Sequence, residues 1–366
     1  MRGVRPYDTV FFTLAMILGG VGIFILTSAS LGLSTARFGN PYYYALHQIL
    51  FGVVPGILAL YIFSRIPYRT WKQWALPLLI ASIFLMFLVF VPGIGFYYGG
   101  ARRWISLGPI SFQPSELLKL SFIIYLASWF ETRSREVVSF KFGLLPFAIM
   151  SAFLASFLVF QPDIGTLLVL LLSAIGLFFL SGGAVKQLAS LILVGIIILG
   201  VLIAAEPYRR SRIKVFLNRS EHTADAGYQI NQALIAIGSG GTLGQGFGLS
   251  RQKFSYLPEP MGDSIFAVFA EEVGFVGSTL LLVIFLLFFQ RGMKVAEAAP
   301  DLFGKLLGFG IMLLFIFQVL INVGAIIGLM PLTGIPLSFV SYGGSALLIM
   351  LAQVGIMLSI SRSKTL

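Results

Sequence analysis

Tyr256-Leu-Pro-Glu-Pro-Met-Gly-Asp-Ser-Ile-Phe-Ala-Val-Phe-Ala-Glu-Glu-Val-Gly274 joins a proline-rich polar turn to an apolar run that continues to Phe289. Only 11% of the chain is charged, yet Glu259, Asp263, Glu271 and Glu272 crowd the start of this run. An ionised side chain in hydrocarbon costs roughly several kcal/mol, so such groups face a wet cavity, a counter-charge or a substrate. The plainer alternative is helix capping, in which a carboxylate meets the positive N-terminal end. That alternative is strongest for Glu271 and Glu272, two turns in.

Outward from this stretch the chain stays apolar. It has 366 residues, 58% of them hydrophobic, with 35 Phe, and a mean hydropathy of +0.95. Such a composition lies outside the soluble range and places the chain in the all-α, polytopic membrane class as a single domain. Ten runs are long enough to cross hydrocarbon as helices. They are Thr9–Leu31, Tyr43–Phe63, Trp74–Val91, Pro114–Phe130, Leu144–Phe160, Ile164–Leu180, Gln187–Ala205, Ser264–Phe289, Phe303–Ile326 and Gly344–Ser361. The first follows Arg2 and Arg5, but it is long for a signal peptide and reads as a retained helix. With no cysteine, disulfides and thiolate metal sites drop out.

Cations orient the spans. With the N-terminus inside, the short cytoplasmic segments hold Arg65, Arg69, Lys72, Arg133, Arg135, Lys141, Lys186, Arg291, Lys294, Lys305, Arg362 and Lys364. The short outer loops hold only Arg37, Arg102 and Arg103, so both termini are expected in the cytoplasm. Much of the net charge of +11 lies in these short loops, so it does not imply nucleic acid. One long outer segment, Glu206–Gly262, carries seven further cations. Long loops are largely exempt from the positive-inside rule, so these cations call for a functional explanation.

Polar motifs recur at the outer ends. Gly99-Gly-Ala-Arg-Arg-Trp sets Arg102 and Arg103 beside an interfacial Trp104, which suits headgroup anchoring and phosphate binding alike. Phe112-Gln-Pro-Ser-Glu-Leu-Leu-Lys opens the fourth span, with Pro114 in the first turn and Glu116 and Lys119 sharing a face. Gln161-Pro-Asp-Ile-Gly-Thr places Asp163 where it caps the sixth span. Three helices thus present a carboxylate at one leaflet and are expected to converge on one cavity. Within the long segment, Tyr208-Arg-Arg-Ser-Arg-Ile-Lys suits an anionic surface. Gly227 to Gly238 has Ile230, Leu234 and Ile237 at helical spacing, a short amphipathic or re-entrant helix. Six glycines between Gly238 and Gly248 fit neither a P-loop nor a dinucleotide fingerprint, and they read as backbone that must approach something closely. Prolines and glycines between Asn322 and Ala346 forbid a continuous helix, and irregular backbone at membrane depth must border protein or a cavity.

Asn322-Val323, Pro331, Thr333-Gly-Ile-Pro336 and Ser341-Tyr-Gly-Gly-Ser345 resemble the signature of the SEDS family, the RodA, FtsW and SpoVE proteins. Gly100-Ala-Arg-Arg-Trp-Ile, Gln113-Pro-Ser-Glu, Gln161-Pro-Asp-Ile-Gly-Thr, Gly227-Tyr-Gln-Ile and Leu257-Pro-Glu through Glu272 fall in the family's order, covering nearly the whole chain. Met261-Gly262 stand where the family often has His-Thr. The resemblance implies a ten-span peptidoglycan glycosyltransferase that polymerises lipid II outside the membrane, with a class B penicillin-binding transpeptidase as partner and membrane lipids around it. It also implies Asp263 as the catalytic residue.

The chemistry needs a base for an incoming hydroxyl and cations for a departing diphosphate. Asp263 is the candidate base. Arg102, Arg103, Arg209, Arg210 and Arg212 are the candidate diphosphate ligands, since guanidinium grips phosphate through paired hydrogen bonds. Glu116, Lys119, Asp163, Ser341 and Gly343 complete the candidate substrate-binding set, with the Glu116–Lys119 pair expected to set the cavity's shape or charge. Carboxylates beside diphosphates also suit Mg²⁺ or Mn²⁺. A lipid II flippase and a non-catalytic scaffold for cell-wall enzymes are the competing readings.

Overall fold

The computed structural model describes residues 7–98, 101–108, 110–206, 210, 212, 215–216, 226–254 and 256–363. Helices stand at each of the ten predicted positions: α1 (Thr9–Phe38), α2 (Tyr43–Arg65), α3 (Thr70–Leu88), α4 (Pro114–Thr132), α5 (Phe140–Phe160), α6 (Ile164–Leu180), α7 (Val185–Ala205), α9 (Ile265–Glu297), α10 (Leu302–Ile326) and α11 (Gly344–Arg362). Between α7 and α9 lies the shorter α8 (Ala226–Ser239). Among the described residues seven of these helices are individually long and apolar enough to cross a membrane, so the chain is a multi-pass membrane protein. Two of the others fall short for visible reasons: α4 carries Glu116, Lys119 and Glu131, and α6 has 17 residues.

The outer segment that carries Arg102 and Arg103 belongs to a small antiparallel sheet. Its strands are β1 (Gly95–Tyr98), β2 (Ala101–Leu107) and β3 (Ile110–Phe112), in that order. Aromatic and β-branched residues in Phe96-Tyr-Tyr and Trp104-Ile favour the pleated state, and Trp104 pairs with Phe96 across the ladder.

α10 and α11 form the buried centre, with Phe315, Ile356 and Met357 fully enclosed. α11 packs on α2 through glycines: Gly52 lies against Gly344, Gly56 against Leu351, and Gly355 against the Leu60 carbonyl. Small residues are what let helices approach this closely in lipid.

One end of the bundle is tied by charge. Arg291 donates to both Asp8 oxygens at 2.9 Å. Tyr68 and Arg69 converge on Asp301, Arg362 reaches the Ser64 carbonyl, and Lys72 pairs with Glu131. This end fixes a depth scale. At 1.5 Å per residue, about 20 residues from Asp8 to Ser28 along α1, or from Asp301 to Asn322 along α10, span roughly 30 Å, the thickness of the hydrocarbon.

Candidate active site

Asp263 sits at the end of the bundle opposite that charge cluster, in the turn before α9, and it is positioned by its backbone. Three consecutive carbonyls are gripped from outside the turn. Tyr342 N donates to Met261 O at 2.9 Å, Ser341 Oγ to Gly262 O at 2.6 Å and Asn322 Nδ2 to Asp263 O at 2.9 Å. The same Asn322 amide donates to Ile335 O, so one side chain locks the turn to the irregular segment 327–343. Within the turn, Gly262 N and Ser264 N both donate to Glu259 O. Glu259, between Pro258 and Pro260, has φ +49°, a strained value for a residue with a side chain.

The carboxylate retains partial exposure. Gln229 Nε2, on α8, lies 3.3 and 3.4 Å from its two oxygens and 3.0 Å from Ser264 Oγ. Burial, and then the nearby Glu259 charge, push the Asp263 carboxyl up to about 6, against the pull of the Gln229 hydrogen bond and the Arg212 charge. Such a group is ionised at neutral pH yet far more basic than an ordinary aspartate.

The segment 327–343 links the remaining carboxylates to this turn. Gly334, at φ +71°, faces Asp263: a side chain there would meet Asp263 Oδ2 at 3.9 Å. Thr333 and Ile335 close against Gly165 at the start of α6, next to Asp163. Asp163 caps α6 by accepting from Thr166 N, and it also accepts from Gln113. Behind the segment lies a narrow cavity of mixed lining, whose polar members are Glu116, Lys119, Gln318, Ser338, Ser341 and Gln353. There Lys119 pairs with Glu116 at 3.0 Å and donates to Gln318 Oε1 at 2.7 Å, while Gln318 Nε2 donates to Pro336 O. The three carboxylate-bearing helices therefore meet around one loop, with Asp263 in front and the Glu116–Lys119 pair behind.

The other candidates divide by surroundings. Arg212 donates to Leu332 O at 2.6 Å and is near enough for its charge to act on Asp263. Arg103 spends its guanidinium on the carbonyls of Gln161 and Pro162, holding β2 to the α5–α6 turn. Arg102 and Arg210 are exposed. Arg209 lies outside the described residues. Ser341 accepts from Leu337 N and Gly343 N donates to Gln48 Oε1, so both order the loop. Glu271 and Glu272 do not cap a helix, contrary to the plainer sequence reading. Glu271 accepts from Ser250, Arg251 N and Gln252 N, and Glu272 accepts from Ser28 and Lys253. The sequence-derived set omits Gln229, Gln318 and Asn322. The last two were detectable as polar residues four apart in an apolar span, whereas Gln229 had only its place in Gly227-Tyr-Gln-Ile.

The family model described as "Cell cycle protein", covering FtsW, RodA and SpoVE, matches residues 8–366. The chain belongs to the FtsW/RodA/SpoVE family. It is 39% identical over 357 residues to the stage V sporulation protein E of Bacillus subtilis (strain 168), covering 97% of each chain. It is 38% identical over 361 residues to a probable peptidoglycan glycosyltransferase FtsW of Geobacter sp. (strain M18), covering 99% of this chain and 98% of that one. Among solved structures it resembles a chain of a peptidoglycan synthase complex studied for its coordination of polymerization and crosslinking, with TM-score 0.79, 30% identity, and 97% and 98% coverage. The rod shape determining protein RodA of Thermus thermophilus is similar too, with TM-score 0.71, 30% identity and 98% of each chain covered. In this FtsW/RodA/SpoVE protein, Asp263, Glu259 and Gln229 gather at the turn before α9 with Ser264, Asn322, Ser341 and Arg212 around them. Among the described residues no three His, Asp or Glu are gathered as a metal site. Glu259 and Asp263 are two carboxylates at this turn, and two alone do not make such a site.

Proposed function

We propose that this protein is a peptidoglycan glycosyltransferase that polymerises lipid II at the outer face of the cytoplasmic membrane, with Asp263 as its base. The observation that carries this reading is the Asp263 turn itself: three successive carbonyls anchored, a carboxyl held near 6, and a position about 30 Å from the charge cluster at the other end. Asp263 takes the proton of the acceptor's N-acetylglucosamine 4-hydroxyl as that oxygen bonds to the donor's anomeric carbon. The bond from that carbon to the diphosphate oxygen breaks, undecaprenyl diphosphate leaves, and the anomeric centre inverts.

Arg212 is the cation best placed for the diphosphate, with Arg102 and Arg210 exposed at the same end to receive it. A class B penicillin-binding transpeptidase is the expected partner, consistent with the synthase complex to which the fold is similar.

Purified protein supplied with lipid II tests the assignment. Wild type is expected to yield a glycan ladder and Asp263→Asn none; equal ladders would end the base role. Scrambling of fluorescent lipid II that is abolished by Asp263→Asn, with no polymer from either protein, would favour the flippase instead.

A further inference from the structure

Gln229 touches the reacting carboxylate, although no catalytic reasoning from the sequence singled it out. Its amide nitrogen carries two hydrogens, enough to address Asp263 and the Ser264 hydroxyl together. We propose that Gln229 is a positioning residue for glycosyl transfer: its amide nitrogen, 3.3 and 3.4 Å from the two Asp263 oxygens, fixes the rotation of the carboxylate and leaves the outward lone pairs of both oxygens to the incoming hydroxyl. The proposal rests on the assignment of Asp263 as the base.

A neutral donor is suited to this task. A cation in hydrogen-bond contact would pull the carboxyl below its ordinary range and weaken the base, whereas an amide orients it at smaller cost in basicity. Among the described residues the charges acting on Asp263 are Glu259 and Arg212, of opposite sign, and Gln229 is the neutral side chain that donates to it, beside the residue's own backbone.

The scaffold keeps the two residues in register. α8 buries Ile230, Ala233 and Ala236, and Gly240 just beyond it lies against the Ala270 carbonyl of α9. The chain leaving α8 is then fastened to α9 at residues 271–276. Gln245 N donates to Glu271 O, Gly246 N to Glu272 O, Phe275 N to Gly241 O and Val276 N to Thr242 O, at 2.9 to 3.1 Å. Gln229 and Asp263 thus stand at the open end of a two-helix unit whose other end is sewn shut.

The test is the rate of glycan synthesis from lipid II between pH 5 and 9, using the full chain in proteoliposomes, for wild type, Gln229→Ala, Gln229→Glu and Asp263→Asn. Gln229→Ala is expected to lower kcat about tenfold with little change in KM, and to move the acid limb to higher pH, because the lost donor favoured the ionised carboxyl. Gln229→Glu keeps the shape but replaces the donor with a charge, and should move the limb further; it is read in place of the alanine variant if that one melts early. A drop in rate with an unmoved acid limb, or wild-type behaviour in both variants while Asp263→Asn is dead, overturns the positioning role. Activity in Asp263→Asn would instead overturn the base assignment beneath it.

Discussion

Asp263 is fixed through its main chain, which frees its carboxylate to change protonation without loosening the turn. Its carboxyl, at about 6, is raised by burial and then by Glu259. Activity that needs the ionised form should therefore fall below about pH 6, and the acid limb of the pH–rate profile checks this. The same shift has a stability consequence with a definite sign. Above pH 6 the folded state holds a charge it disfavours relative to the unfolded chain; as pH falls toward the ordinary value of 3.8 that penalty disappears. Asp263→Asn should accordingly melt higher than wild type at pH 7.5, with the gap closing near pH 4, as followed by thermal unfolding in detergent. The Asp163 cap and the Glu116–Lys119 pair were legible in the sequence because each is local, whereas Asp263 was singled out by its motif. Gln229 was not, since its contact closes a loop of 34 residues that no periodicity reports.

α9 is where the elements depart furthest from a plain reading. One unbroken run from Ser264 to Phe289 reads as one helix, but Gly274 has φ +68° and ψ −166° and divides it in two. The break frees backbone groups that must find partners, and the glycine-rich segment 240–246 supplies them. The glycines announced a close approach; what they approach came only from the fold. Gly244 has φ +85°, and a Cβ there would meet Glu272 O at 2.1 Å. Gly244→Ala should cost about 3 kcal/mol from strain and overpacking together. Gly238, on α8 with open space around it, should tolerate alanine or gain slightly; thermal melts of the two variants decide. Beside the break, Lys253 and Glu272 pair at 2.7 Å with side chains 0% and 2% exposed. Lys253→Ala should destabilise by about 3–5 kcal/mol because it strands a buried carboxylate. The double variant Lys253→Met/Glu272→Gln should lose much less, as a double-mutant cycle would show.

Across the whole molecule, two polar ends lie about 30 Å apart, one built from ion pairs and one from the Asp263 turn and its loop. Hydropathy and loop cations made the helical, multi-pass architecture readable, while the β1–β3 sheet escaped because strands of three to seven residues leave little periodic signal. The chain has no cysteine, so single cysteines report orientation cleanly. A membrane-impermeant maleimide should label Arg102→Cys in intact cells and Arg65→Cys only after permeabilisation; the reverse pattern would invert the topology. The most direct measurement is release of undecaprenyl diphosphate from lipid II supplied to the outside of proteoliposomes, for wild type and Asp263→Asn side by side. Steady release by wild type and a loss of about a hundredfold or more in the variant are expected, of the order general-base catalysis contributes. Equal release by the two proteins would contradict it.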